Sequence, residues 1–453
     1  MLESLRKYWN LHRLPILIIL VSVIFYFAFA HQLQRQDFPK LLGLYLALFF
    51  FCYKLIQFEK WNFRLLLFAG LLFRLVFLWA EPNLSQDFYR FLWDGHLWLE
   101  GGNPYRYTPD ELMATGASQI PNALLLHEGM GELSARNYSN YPPLNQLFFT
   151  LAALWGGKSI MGTVIASRLI LIFADVGVFY IGKKLLLHLN RSPHLIFWYF
   201  LNPLVIIELT GNLHYEGLML FFFIWALYMF AINRWIFAAL LFGASISIKL
   251  IPLLFLPLFF KNLGWKKSLA FYILVLLTVA ITLIPFYTPE FFSNYTATLQ
   301  LWFSNFEFNA SIFNLTKAIG AQCEVRSWEL IKVYGKITPF ITVAVLLLLT
   351  FLRKTKTLSV LLENMLLVIC LYYFMSSAVH PWYVIFPLFL ALFTDYRFPI
   401  LWSALVILSY SAYMHPQISE SMLLLSIEYL LVFGFLGYEF FKHKGTKPLI
   451  PKN

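Results

Sequence analysis

Leu14-Pro-Ile-Leu-Ile-Ile-Leu-Val-Ser-Val-Ile-Phe-Tyr-Phe-Ala-Phe-Ala30 carries no charged side chain. At about 1.5 Å of rise per residue, a run of this kind approaches the roughly 30 Å thickness of a bilayer's hydrocarbon core. Comparable runs recur near 41–57, 62–80, 160–182, 194–211, 214–232, 268–286, 337–352, 358–378, 381–396, 398–414 and 420–441. Two further stretches are less regular. Residues 143–156 are short, and 234–260 are broken by Lys249 and Pro252. Together they predict an all-α polytopic membrane bundle of about 12–14 segments, forming one integral membrane domain over residues 1–453. His31-Gln-Leu-Gln follows the first run where a cleaved signal would end on small residues, so that run is expected to be retained.

Composition agrees. Hydrophobic residues make up 60% and charged residues 13% of the 453, against about 45–50% and about 25% in soluble domains. A bilayer accepts such an excess as outward-facing surface; water does not. The 14 Trp and 25 Tyr suit interfacial belts. Cys52, Cys323 and Cys370 lie far apart without metal-ligand spacing, which excludes a disulfide framework or a zinc site. The net charge of +11 follows from basic clusters at Lys60/Arg64, Lys183/Lys184/Arg191, Lys261/Lys266/Lys267, Arg353/Lys354/Lys356 and Lys442/Lys444/Lys447. With these clusters and the N-terminal Arg6, Lys7 and Arg13 placed in the cytoplasm, 21 of the 34 Lys and Arg fall inside, 9 outside and 4 within the membrane, so the charge reflects orientation and no nucleic-acid partner is expected. Lys183, Lys184 and Arg191 reach that side only if 143–156 is a partial helix and 234–260 two half-helices, an arrangement that also puts Asn212–Glu216 at the outer surface.

Two long polar loops then face outward, at 81–142 and 287–336. Pro82 ends the preceding span, Asn83 with Gln86 has the spacing of a capping box, and Ser85–Glu100 reads as an amphipathic helix on the membrane surface. Its apolar part is Phe88, Phe91, Leu92, Trp98 and Leu99. Asp87, Arg90 and Asp94, at i, i+3 and i+7, share a face. By itself that face reads as solvated, with Arg90 between two carboxylates. Charges at membrane depth default to function or to structural pairing. They include Arg74, Arg168, Asp175, Glu208, Lys249, Glu363 and Glu428, and Arg168 with Asp175 reads as structural. Lys249, at a helix break before Pro252, suits a phosphate or snorkels to the interface. Glu208 leads into a dense polar group, Asn212, His214 and Glu216. His380-Pro-Trp382-Tyr383 opens a span at the outer surface. The grouping of carboxylates, histidines and a cation toward one compartment suggests a membrane-embedded reaction site. Gly157-Lys158-Ser159 imitates the end of a phosphate loop, but Ala152 stands where its first glycine would be. Without a nucleotide-binding motif, an activated substrate would arrive on a lipid.

The string Ser85-Gln-Asp87-Phe-Tyr-Arg90-Phe-Leu-Trp93-Asp94-Gly95, followed by Gly102-Asn103-Pro104-Tyr105, resembles the first outer loop of GT-C-fold glycosyltransferases, and within them the bacterial mannosyltransferases. Tyr141-Pro-Pro143, Asn202-Pro203, Asn212–Glu216, Lys249 with Pro252, and His380–Tyr383 follow in that family's order. The resemblance covers roughly residues 81–385. It implies inverting transfer of a hexose, mannose above all, from a polyprenyl-phosphate donor to a glycan or lipid acceptor. Asp87 and Asp94 would be the catalytic carboxylates, with Asp87 the general base, kept ionised by Arg90. Arg90, Asn103, Tyr105, Asn212, His214, Glu216, Lys249, His380 and Trp382 would bind substrate. The family implies no cofactor. His96 stands where the family implies a basic Arg or Lys after Asp94-Gly95, and the wide spacing of Asp87 and Asp94 departs from the compact Asp-x-Asp of some relatives, so no metal is assigned. A bacterial plasma membrane is the expected location, with the site on the non-cytoplasmic side. A transporter or flippase, and a ligase of lipid-linked polysaccharide, are the rival readings.

Overall fold

The computed structural model describes residues 2–116, 119–304, 306–353, 357–415 and 417–446. Lys354, Lys356 and Lys447 of the basic clusters lie outside them. The described residues form an all-helical bundle whose only β-type pairing is an isolated parallel bridge between Phe308 and Ala378. Its helices are α1 (Leu2–Gln32), α2 (Phe38–Glu59), α3 (Phe63–Leu75), α4 (Asp87–Leu99), α5 (Pro109–Thr115), α6 (Ala123–Ala135), α7 (Pro143–Gly156) and α8 (Ile160–His188). Next come α9 (Pro193–Phe200), α10 (Pro203–Gly211), α11 (Glu216–Ala231), α12 (Trp235–Ile248) and α13 (Phe260–Leu283). The chain closes with α14 (Phe291–Ser304), α15 (Ile312–Gln322), α16 (Ser327–Phe351), α17 (Leu358–Met375), α18 (Pro381–Ala391), α19 (Phe398–Tyr413) and α20 (Met422–Thr446).

Among the described residues seven helical stretches are long and apolar enough to cross a membrane, and α9 with α10, bent by 50°, makes up to eight. Helices α11, α12, α18 and α19 are apolar but shorter, so at about 1.5 Å per residue none spans the hydrocarbon core unaided. The bundle has a lipid-facing shell, with Phe173 74%, Phe340 77% and Leu430 72% exposed, around a dry core. Helix α12 ends at Lys249, whose backbone is extended (φ −146, ψ 141), and Ile251–Phe259 continues as a tight 3-10 helix. The expected break therefore falls at Lys249. Asn202-Pro203 restarts the bent pair: Asn202 Oδ1 accepts from the Leu204 amide at 3.0 Å and Pro203 takes the first helical position.

Buried charges act as rivets. Arg74 Nε donates to Asp175 Oδ2 at 3.0 Å with both side chains fully buried, and the Tyr199 hydroxyl donates to Asp175 Oδ1 at 2.8 Å. Arg168 binds the carbonyls of Thr210, Leu78, Ala80 and Gly211 at 2.7–3.0 Å. It thereby pins the end of the α3 turn against the end of α10. These bonds to neighbouring elements are what the structural reading of Arg168 and Asp175 expects.

The basic clusters gather at one end of the bundle. His12 bonds Glu59, Trp61 meets His194, Lys183 lies 4.3 Å over the Phe63 ring and Arg191 pairs with Asp395. Lys261 binds the Phe351 and Arg353 carbonyls. Helix α1 runs from this end to the other, where Asn83 donates to the Phe29 and Leu33 carbonyls. Helix α7 does not cross between the ends: Tyr105 binds the Tyr141 carbonyl just before it and Asn122 binds the Lys158 carbonyl just after it. Both anchors belong to the 81–142 loop.

Candidate active site

The loop helix α4 departs from its sequence reading in three ways. It is buried, not laid on the membrane surface: Phe88, Phe91, Leu92, Trp93 and Leu97 are at most 5% exposed, and Leu99, assigned to the apolar face, is the one left out at 41%. It packs between α6 and α7. Gly95 permits the close crossing, because a Cβ there would stand 2.4 Å from the Phe149 carbonyl oxygen. The capping box does not form: Asn83 is spent on the α1 carbonyls and Gln86 reaches the Met130 carbonyl. Ser85 Oγ accepts from the Asp87 amide instead, at 3.3 Å.

The charged face of α4 is not solvated either, and Arg90 does not bridge two carboxylates. Arg90 Nε donates to Asp94 Oδ1 at 2.7 Å, and its Nη1 binds the Ser134 and Asn137 carbonyls. Gln146 Nε2 donates to the other Asp94 oxygen at 3.0 Å. Asp94 is fully buried with both oxygens engaged. Asp87 differs. Among the described residues nothing hydrogen-bonds or ion-pairs with its half-buried carboxylate. Burial pushes its pKa up to about 6, the nearby Lys249 and Arg35 cations hold it down, and Glu216 pushes it further up. The expectation that Arg90 keeps Asp87 ionised is thus replaced by a different balance, set by burial and by Lys249, Glu216 and Arg35 from three separate elements.

Those elements converge at the end of the bundle opposite the basic clusters. Helix α10 finishes in a π-helical turn, and Leu213 takes a left-handed conformation (φ 62) before α11 begins. Such strained turns cluster at functional sites. The turn sets Glu216 against Lys249, whose Nζ donates to Glu216 Oε1. Among the described residues the second oxygen of Glu216, Oε2, is buried without a hydrogen-bond partner, and His214 Nε2 lies 3.5 Å from Glu208 Oε2. His214 stacks on Trp382 (centroids 3.7 Å apart), Trp382 on His380 (4.4 Å, 2° between planes) and His380 on Phe308 (5.0 Å). Burial, aided by Lys249, pushes both imidazoles down, His380 to about 3, so they are neutral. Behind them Glu208 accepts from the Tyr410 hydroxyl at 2.8 Å and from Asn212 Nδ2 at 3.2 Å. Asn212 Oδ1 in turn accepts from the Leu84 amide, fastening the start of the 81–142 loop to this network.

Of the residues expected to meet a substrate, Asp87, His214, Glu216, Lys249 and His380 come together. Trp382 joins them, with both ring faces covered by imidazoles. Asn212 braces the loop. Arg90 and Asp94 form a separate pin beneath. Asn103 and Tyr105 stand apart: Asn103 donates to the Phe286 carbonyl at 2.8 Å, and Tyr105 is fully buried among Phe286, Phe291 and Tyr295. Sequence reasoning passed over Arg35, Phe308 and Tyr413. Arg35 sits in the short polar turn between α1 and α2, where a basic residue resembles any interfacial one. Among the described residues no group of three or more His, Cys, Asp or Glu is arranged to hold a metal ion.

A polytopic helical bundle with a carboxylate, a cation and paired imidazoles at one end defines a membrane protein with a polar site at the bilayer boundary. Residues 39–263 match the family described as alpha-(1->6)-mannopyranosyltransferase, N-terminal domain, and over this stretch the chain is similar to that mannosyltransferase family. The match includes Asp87, Asp94, Asn212, His214, Glu216 and Lys249 and excludes Arg35, His380 and Trp382. Alpha-(1->6)-mannopyranosyltransferase A of Corynebacterium glutamicum is 24% identical over 184 residues, which is 40% of this chain and 35% of that protein. The chain therefore spans about a third of the curated relative it matches. The resemblance read from the outer-loop string is borne out.

Proposed function

We propose that this chain is a mannosyltransferase that moves a mannosyl group from a polyprenyl-phosphate donor to a glycan or lipid acceptor, with inversion, at the non-cytoplasmic face of a bacterial plasma membrane. One observation carries the reading. Asp87 keeps an unengaged carboxylate beside Lys249, while Asp94, on the same helix, has both oxygens bound. A general base needs free lone pairs and a pKa near the working pH, and Asp87 offers both. Its pKa of about 6 leaves it mostly ionised at neutrality yet basic enough to accept a proton.

The acceptor hydroxyl gives its proton to Asp87 as its oxygen bonds the sugar's anomeric carbon. The bond from that carbon to the phosphate oxygen breaks on the opposite face, and its electron pair leaves with the lipid phosphate. Lys249, held by Glu216 in a poorly screened site, offsets the growing charge. The neutral imidazoles add no competing charge and offer hydrogen bonds to sugar hydroxyls. The similarity of residues 39–263 to mannosyltransferases supports the sugar. The separation of the site from the basic clusters supports the orientation.

Purified protein in detergent, supplied with polyprenyl-phosphate mannose and a mannan-type acceptor, should release polyprenyl phosphate and extend the acceptor. A transporter has no gradient to use in detergent, so absence of transfer by a folded, monodisperse sample would favour that reading instead.

A further inference from the structure

Beside Asp87 stand two cations, and they are held differently. Lys249 is held in an ion pair with Glu216. Arg35, from the turn between α1 and α2, has no carboxylate partner among the described residues. Its guanidinium lies over the Tyr413 ring, 3.4 Å from the centroid, and Nη1 donates to the Leu84 carbonyl at 3.2 Å. Nε and Nη2 carry no partner among the described residues, and the side chain is only half-buried. Stacking fixes the plane of the fork; the Leu84 bond fixes its rotation. Leu84 is itself bound to Asn212, three residues before the loop's Asp87. Arg35 is therefore a pre-oriented donor pair, open on one edge, whose charge is felt by Asp87, His380 and Tyr413.

Resting on the donor reading above, we propose that Arg35 is the second phosphate-binding cation of this site. Its free edge holds the two non-bridging oxygens of the lipid phosphate while Tyr413 supports the guanidinium plane. A planar fork matches phosphate geometry as a lysine does not. The charge it meets grows during the reaction: a phosphodiester with one negative charge becomes a phosphomonoester as the anomeric C–O bond breaks and its electrons pass to the phosphate oxygen. Arg35 therefore grips the leaving group more tightly than the bound donor, which favours the transition state. Lys249 anchors the phosphate in both. Arg35 lies outside the matched residues 39–263, so the resemblance does not supply it.

The test is direct binding to purified full-length protein in detergent, with a short-chain prenyl phosphate, its parent alcohol and inorganic phosphate as probes. Arg35→Gln should weaken prenyl phosphate about 10–100-fold, the scale of lost charged hydrogen bonds, and leave the alcohol unchanged. Arg35→Lys, which keeps the charge and a donor for Leu84, should recover part of the loss with a near-wild-type melting temperature. Unchanged prenyl phosphate binding by Arg35→Gln overturns the assignment, as does inorganic phosphate competing as well as the prenyl form. If the wild-type protein itself prefers no phosphate over the alcohol, the donor reading fails and Arg35 falls with it; that outcome is distinct, because it appears before any substitution is made.

Discussion

Asp87 and Asp94 lie on one helix, two turns apart, and do opposite things. Asp94 is dry and saturated: Arg90 takes one oxygen, Gln146 the other, and Arg90 goes on to tie down the Ser134 and Asn137 carbonyls. Asp87 is half-open and unengaged, tuned at a distance by Lys249, Glu216 and Arg35. The same contrast separates Arg168, spent on four carbonyls, from Arg35, with an open edge. A buried charge with every lone pair or proton engaged is holding the fold together, because leaving it unpaired would cost several kcal/mol. A charge left unengaged among the described residues is free to meet a ligand, which is the role proposed for Asp87 and Arg35.

Exchanging the two carboxylates for amides tests that division most severely. Asp87→Asn should lower turnover about 10²–10⁴-fold, the range for losing a general base, with unchanged melting temperature and donor binding. Asp94→Asn should do the reverse. It breaks a fully buried pair and should destabilise the protein by about 3–5 kcal/mol, while the fraction that remains folded turns over normally. Loss of turnover in a stable Asp94→Asn protein would reverse the assignment.

A smaller effect is expected at the cation. Lys249→Ala alone strands Glu216, so it is best combined with Glu216→Gln. Donor KM should rise about 10–100-fold in the pair, and an unchanged KM would assign Lys249 to holding the α11–α12 corner alone.

These contrasts also explain what was legible in advance. Apolar runs marked the long spans because lipid contact is a property of single helices, whereas 62–80, 214–232, 381–396 and 398–414 fold as helices too short to span alone; the break at Lys249 and Pro252 was visible for the same reason, since a charge and an imino acid interrupt one local pattern. The outer-loop string pointed to Asp87. What stayed hidden depends on residues that meet only in the folded bundle. Arg35, Asp87 and Tyr413 belong to three distant segments, and nothing local to the α1–α2 turn distinguishes Arg35. The i, i+3, i+7 spacing on α4 was read correctly as one face. Spacing could not say that α6 and α7 would bury that face, or that Arg90 would choose Asp94 over Asp87. Asn103 and Tyr105 belong to the string that carries the resemblance, yet they are bound to Phe286 and Tyr141. A motif can be specific to a family because it shapes the loop that presents the site.

The smallest effect follows from that. Asn103→Ala removes two hydrogen bonds, one donated to the Phe286 carbonyl and one accepted from the Tyr105 amide, and should cost about 2 kcal/mol of stability, with donor and acceptor KM unchanged in an assay below the melting temperature. A raised KM would return Asn103 to the substrate.

The base proposed to remove the acceptor's proton is Asp87, set apart from Asp94 by its surroundings. The pH dependence of kcat/KM for mannosyl transfer tests it most directly. The base works only when ionised, so the rate should be level above the Asp87 pKa and fall tenfold per unit below about pH 6. The residual turnover of Asp87→Asn should lack that acid limb. An acid limb that persists unchanged in Asp87→Asn would mean that another group takes the proton.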